Sequence, residues 1–454
     1  MGQRKMSSQV DDTVILGDYE NHPPDTANLA LFTYFLLGIG CILPWTTFTT
    51  AVDYFEYLFP DSQISRVFVA IYQCSFFVSL SLMLRFGLHI PSRVRINAGL
   101  LMLLVPMLLV PAVNAFIIRE DADRNNPLAR TLTLILIGLS GVGTAAMEGS
   151  ATGAAGQLPQ RFMKAVVSGG GACGVLVSSL RVVTKAALPQ TPDGLRTSAN
   201  LYFVVTSVIL LLCFVSYNLI HRLPFMIHFT ALRAAINEEK SEAKLPRRQD
   251  LETEVTSSLL VNGDRERAEG GGLVATLATV KWYAGCITLT YIITLTIFPG
   301  FLAEDVQSSI LKDWYPVLLI CSYQWSDLLG KLCTTLYIPK LLRTLVLGSL
   351  ARLLFLPLFG VILHGPGAFR TEASVFLSTC LLGFTGGYLA ASNFVLAPKL
   401  VTFAQAESVG VIMDLCLGLG VSLGSVSTCS FSWKKLPHYG LILALHLLPE
   451  FQKE

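Results

Sequence analysis

Eleven apolar runs of about 20 residues recur along the chain, and no other feature restricts its fold as much. The hydrocarbon core of a bilayer is about 30 Å thick, a depth that an α-helix crosses in roughly 20 residues. Charge is correspondingly scarce: of 454 residues, 14% are charged and 52% hydrophobic, and the mean hydropathy is +0.58. A soluble domain carries about 25% charge, and a chain of this size with so little could not cover its surface in water. The sequence therefore predicts an all-α polytopic membrane protein with about 11 transmembrane helices, whose principal partner is the lipid bilayer. A net charge of +2 gives no ground for a nucleic-acid partner.

The runs fall near residues 29–55, 66–87, 97–118, 129–156, 162–186 and 199–221, and then near 279–302, 314–338, 341–363, 373–397 and 405–427. This spacing predicts an N-terminal tail over 1–28, a six-helix bundle over 29–221, a loop over 222–278, a five-helix bundle over 279–427 and an atypical C-terminal tail over 428–454. The loop contains EEKSEAKLPRRQDLETE and NGDRERAEGGG, compositions that favour a flexible connection. Lys and Arg are about twice as frequent in connections on the N-terminal side of the membrane, Arg93, Arg95, Arg161, Lys164 and Lys399 among them. The positive-inside rule then places the N-terminus and the long loop in the cytoplasm. The ten cysteines form no CxxC and the seven histidines no HExxH, so neither a metal site nor a cofactor is expected.

A charged residue inside a span costs about 2.5–3.5 kcal/mol on insertion scales and must face a cavity or a partner. The eighth run contains YQWSDLLGK, in which Gln324, Asp327 and Lys331 are spaced i, i+3 and i+7 on one helical stripe. Asp327 precedes Lys331 by four residues, the favourable order for an ion pair along a helix. Glu148 sits among small residues in GTAAMEGSATGAAG of the fourth run, and Asp414 lies in apolar sequence in the eleventh. Both are candidates for proton coupling, since a buried carboxyl is a group that can take up a proton. Pro44 interrupts the first run in LPWT, either as a structural kink or as a break beside a pore. Trp45 next to it offers a flat face for a planar ligand or for packing. Gly169, Gly170 and Gly174 in SGGGACG weaken the fifth helix and point to close packing or a hinge. Arg181 beyond them either reaches the interface or pairs with an acid such as Glu148. Pro299 after Phe298 breaks the seventh run near its end.

Together the stretches LPWTTFTTAVDYF, EGSATGAAGQLP, SGGGACG, IFPGFLAED, YQWSDLLGK and GGYLAASNFVLAPK resemble the equilibrative nucleoside transporter family, over about residues 29–427. The first and fourth of these are similar to plant members. The resemblance implies a major-facilitator-like fold of six-plus-five helix bundles, alternating access around a central site, and nucleoside substrates such as adenosine and uridine. It further implies that Asp327 and Lys331 bind the ribose, that Glu148 stands where a glutamine contacts the base, and that Trp45 and Phe298 line the cavity, with Gln324 three residues before the aspartate. This chain departs from the family pattern at Thr46 and Gln324, where asparagines are usual, at Lys331 for an arginine, at Glu148 for a glutamine and at Gly170 for a glutamine. Lysine lacks the planar two-pronged donor set of arginine.

The expected activity is transport of purine and pyrimidine nucleosides, facilitative or proton-coupled, across the plasma membrane or a vacuolar membrane. The alternative is a transporter-like nucleoside receptor or membrane scaffold without flux. No nucleophile–base pair is visible, so an enzyme is not expected.

Overall fold

The apolar runs form helices in the computed structural model, which describes residues 23–60, 64–117, 126–189, 191–243, 260–298, 308, 310–339, 341–364 and 371–430. In chain order these are α1 (Leu29–Thr50), α2 (Val52–Leu58), α3 (Ile64–Phe86), α4 (Ser92–Ile117), α5 (Pro127–Gly156), α6 (Gln160–Ala187) and α7 (Pro192–Ile220). There follow α8 (Pro224–Ala243), α9 (Leu260–Ile297), α10 (Tyr315–Cys333), α11 (Leu342–Ala351), α12 (Phe355–His364), α13 (Glu372–Leu396) and α14 (Phe403–Ser430). Ten helical stretches among the described residues are long and apolar enough to cross a bilayer. To these α10 adds a 19-residue helix whose hydropathy is lowered by its buried charges. The lipid-type solvent shows on the outward faces: Val204, Val208 and Leu211 of α7 are each more than half exposed, as are Leu108 of α4 and Leu377 of α13. Bare apolar surface of this kind is stable against hydrocarbon and not against water.

Local chemistry sets the helix starts. Before α5, the Asn126 side chain accepts a hydrogen bond from Leu128 N at 2.9 Å, and Pro127 fills the first helical position, whose N–H would have had no partner. Asp25 accepts from Ala30 N and Leu31 N at 3.1 and 3.0 Å at the head of α1. The ninth run does not form one continuous helix. A 3-10 turn at Arg352–Leu354 separates α11 from α12, because Pro357 has no N–H for the carbonyl of Leu353.

The region 222–278 differs from the expected loop. It is helical over Pro224–Ala243, and α9 has already begun at Leu260. Pro224 again occupies a first helical position, and ALRAAINEEKSEA is built of strong helix formers. The expected hinge at Pro299 and the C-terminal tail beyond Ser430 lie outside the described residues.

The described residues divide into two compact units, one from 1–33 and 215–275, the other from 34–214 and 276–454. In the first, Tyr217 and His221 meet edge to face at 4.9 Å, and Phe225 packs on Phe229. In the second, the most extensive seams are α10 on α13, α4 and α3 on α5, α6 on α10, and α14 on α5. The last two join spans from the first half of the chain to spans from the second. At one end of the α5–α14 seam, Arg95 of α4 and Glu407 of α14 form a buried ion pair. Removing one partner of such a pair strands a charge and costs about 3–5 kcal/mol. Glu407→Gln is therefore expected to lower the thermal midpoint of the detergent-solubilised protein, and Arg95→Met/Glu407→Met to recover most of the loss. Equal midpoints for the wild type and the single variant would show that the pair contributes nothing.

Candidate functional site

The centre of the second unit is built on the polar stripe of α10. Asp327 and Lys331 are both 7% exposed, and Lys331 Nζ lies 2.6 Å from Asp327 Oδ2. The i, i+4 pairing expected from the spacing is thus formed in a buried setting. The glycine-rich helix α6 makes room for this stripe. A Cβ on Gly171 would stand 2.9 Å from Cδ of Lys331, and one on Gly174 would stand 2.6 Å from Cδ of Gln324. The missing side chains are where the lysine stem and the glutamine amide lie. The other side of the same glycine run meets α1, with Gly170 against Ile42 and Gly169 against the backbone of Phe35 and Gly38. Close packing therefore accounts for these glycines.

Arg352, in the break between α11 and α12, belongs to the same neighbourhood and escaped the sequence reading. It is 1% exposed. Its guanidinium donates to Thr294 Oγ1 at 2.7 Å and to Leu382 O at 2.9 Å, and it also reaches Thr385 Oγ1. Its Nε has no partner. It lies within electrostatic reach of Asp327 and of Tyr323. The signal was present: an arginine in the middle of LGSLARLLFLPL is as costly in lipid as any charge in α10.

A second polar group faces α5 and α14. Asp414 is 1% exposed and accepts a hydrogen bond from Thr152 Oγ1, while its Oδ1 has no partner. Glu148, one turn before Thr152 on α5, is half-buried and within electrostatic reach of Asp414. Trp45 packs against Tyr72 with ring centroids 4.5 Å apart at 31°. The Tyr72 hydroxyl hydrogen-bonds Thr144 at 2.7 Å, one turn before Glu148. One face of the indole is therefore used for packing, and the residue stays partly exposed.

Two further residues acquire partners that lie far from them in the sequence. Phe298 stacks on Tyr323 at 4.0 Å and 16° and joins an apolar cluster with Ile293, Ile297, Tyr315 and Leu319. Its ring thus braces α10 one turn before Asp327. Arg181 pairs with an acid, but with Asp53 of α2 at 2.9 Å and not with Glu148; it also donates to Thr50 O at 2.7 Å, fastening α6 to the junction of α1 and α2.

Helices crossing in apolar surroundings, with polar groups from several spans buried among them, are the architecture of a polytopic membrane protein with a polar interior. Solved structures share this fold. The proton:xylose symporter XylE of the major facilitator superfamily matches with a TM-score of 0.61 at 11% identity, over 94% of this chain and 96% of that one. A bacterial homologue of the iron transporter ferroportin matches with a TM-score of 0.56 at 16% identity, over 93% and 98%. At such identities the likeness establishes the fold alone.

The family follows from the sequence. The profile of the nucleoside transporter family matches residues 134–435. Equilibrative nucleotide transporter 1 of Arabidopsis thaliana is 41% identical over 90% of this chain and 87% of its own length. Equilibrative nucleotide transporter 8 of the same plant is 36% identical over 92% and 98%, and human equilibrative nucleoside transporter 4 is 27% identical over 92% and 85%. The chain belongs to the equilibrative nucleoside transporter family and is a multi-pass membrane transporter.

Proposed function

We propose that the chain carries uncharged purine and pyrimidine nucleosides, adenosine and uridine among them, with the ribose bound at Asp327. The observation that carries this is the buried Asp327–Lys331 pair, formed inside the protein where an ion pair costs desolvation and adds little stability by itself. Lys331 and Gln324 orient the carboxylate, and Trp45 offers its free face to the base. Charge balance argues for nucleosides over nucleotides. The central groups are three carboxyls, of Glu148, Asp327 and Asp414, and two cations, of Lys331 and Arg352. A phosphate would enter a site with no spare positive charge, and unpaired buried charge is costly. The test is uptake of radiolabelled adenosine into a host lacking nucleoside uptake, in competition with adenosine monophosphate. Uptake that uridine inhibits and the nucleotide does not is the expected result. Binding without uptake by protein at the cell surface would instead favour the receptor reading.

Proton coupling is the second part of the proposal. One proton shared by Glu148 and Asp414 makes the five groups neutral in sum, so loading a proton with the substrate lowers the cost of closing the site away from water. Uptake is expected to rise several-fold when the side of substrate entry is acidified, and Glu148→Gln to remove that dependence. Uptake indifferent to the gradient and to protonophore would rule coupling out. By the distribution of Lys and Arg, the N-terminus lies in the cytoplasm, and the membrane is the plasma membrane or the vacuolar one. Epitope accessibility in intact cells tests the orientation.

A further inference from the structure

Tyr291 of α9 has no part in any of the sequence motifs, yet it lies within electrostatic reach of charges from both polar groups. Its place is fixed by three contacts on its own helix. Thr288 Oγ1 donates to Cys416 O of α14 at 2.9 Å, holding this stretch of α9 two residues from Asp414. Thr294 receives Arg352 Nη2 at 2.7 Å. Phe298 stacks on Tyr323 at 4.0 Å. Tyr291, Thr294 and Phe298 are spaced i, i+3 and i+7, so one stripe of α9 faces α10 and the Arg352 turn. The two helices are consecutive spans and run in opposite directions. Seven residues back from Phe298, about 10.5 Å along the axis, Tyr291 therefore reaches the level between Asp327 and Lys331. A Cβ on Gly420 of α14 would stand 2.9 Å from Cβ of Tyr291, so the base of the tyrosine side chain packs on the bare backbone of α14 at this glycine.

The consequence is a phenol within reach of charges from four elements: Glu148 of α5, Asp327 of α10, Arg352 and Asp414 of α14. Tyr323 and Lys331 of α10 complete its titratable surroundings. The residue is half-buried, and its hydroxyl makes no hydrogen bond to another described residue. A phenol both donates and accepts, and a half-buried one beside a carboxylate that is itself paired is free to meet a substrate hydroxyl.

We propose that Tyr291 is a specificity-determining residue whose hydroxyl hydrogen-bonds a ribose hydroxyl of the nucleoside held at Asp327. The inference rests on the reading of Asp327 as the ribose site. It assigns a second contact from α9, so the sugar is gripped from two helices. A site built to hydrogen-bond a substrate hydroxyl rejects the analogue that lacks it, because its own polar group is left unpaired.

The experiment compares uptake efficiency for uridine, 2′-deoxyuridine and 3′-deoxyuridine in a nucleoside-uptake-deficient host, normalised to surface protein. Wild type is expected to disfavour at least one deoxy analogue by about tenfold. Tyr291→Phe, which removes one oxygen atom, is expected to bring that ratio close to one while keeping uptake of the same analogue within about twofold of wild type. If the Phe variant does not reach the surface, Tyr291→Met removes the same hydroxyl with an adaptable side chain and is read by the same ratio. A ratio unchanged in the variant, with ribonucleoside and deoxy analogue falling together, overturns the proposal, as does a wild type that does not discriminate. Asp327→Asn is the separate arm. Transport left intact there removes the Asp327 reading, while the Tyr291 ratio reports on its own residue.

Discussion

Asp327→Asn is expected to reduce nucleoside uptake by about 10–100-fold per molecule at the surface, the equivalent of the 1.5–3 kcal/mol carried by hydrogen bonds to a charged group. The variant also leaves Lys331 without its partner at 2.6 Å in a buried setting, and breaking such a pair costs about 3–5 kcal/mol of stability. Surface abundance is thus expected to fall as well, and the single variant mixes two effects. Asp327→Asn/Lys331→Met separates them, because it removes both charges and keeps the lysine stem's volume over Gly171. Abundance should recover in the double variant and transport should not. Recovery of transport together with abundance would make the pair a tether between neighbouring turns of α10 and would move the ribose site elsewhere.

Gly387→Ala is expected to have the largest effect of any conservative change in the second half of the chain. A Cβ there would run into the carbonyl of Asp327 and stand 2.9 Å from its Oδ1. The obstacle is the backbone of a helix packed along its length on α13, so relief requires the helices to separate. Overpacking of this kind costs about 1–3 kcal/mol and occasionally more. Here it also displaces the carboxylate. A fall in thermal midpoint together with loss of uptake is expected. Gly174→Ala is the contrast: its Cβ meets the side-chain end of Gln324, which can turn aside, so abundance should hold while uptake changes. Identical midpoints for Gly387→Ala and wild type would show that the seam tolerates expansion.

The intramembrane charges were legible because lipid makes them conspicuous. Asp327, Lys331, Glu148 and Asp414 each interrupt an apolar run, and spacing alone predicted the Asp327–Lys331 pair. Arg352 carried the same signal, but the motifs that drew attention to α10 did not extend to α11. Phe298 illustrates the opposite case. The family resemblance implied that it lines the cavity, and nothing in the spacing named the residue it stacks on, Tyr323, one turn before Asp327 on the facing helix. For Arg181 the sequence left open the interface or an acid such as Glu148; the structure supplies an acid, Asp53 of α2, together with the Thr50 carbonyl. The helix at Pro224–Ala243 was hidden by its charge, since polarity that reads as a loop also suits the exposed faces of a helix.

Along the chain, the sequence by itself determined the solvent, the number of spans and the stripe that α10 turns inward. Those follow from local quantities, namely run length, charge cost in hydrocarbon and the 3.6-residue period. Only the tertiary structure decided what meets that stripe. Gly171 and Gly174 lie under Lys331 and Gln324, Gly387 lies against Asp327, and Gly420 of α14 lies against Tyr291 of α9. These are contacts between residues far apart in the chain, and no spacing rule reaches them. They depend on how closely two helix backbones approach, and small residues permit that approach without specifying the partner.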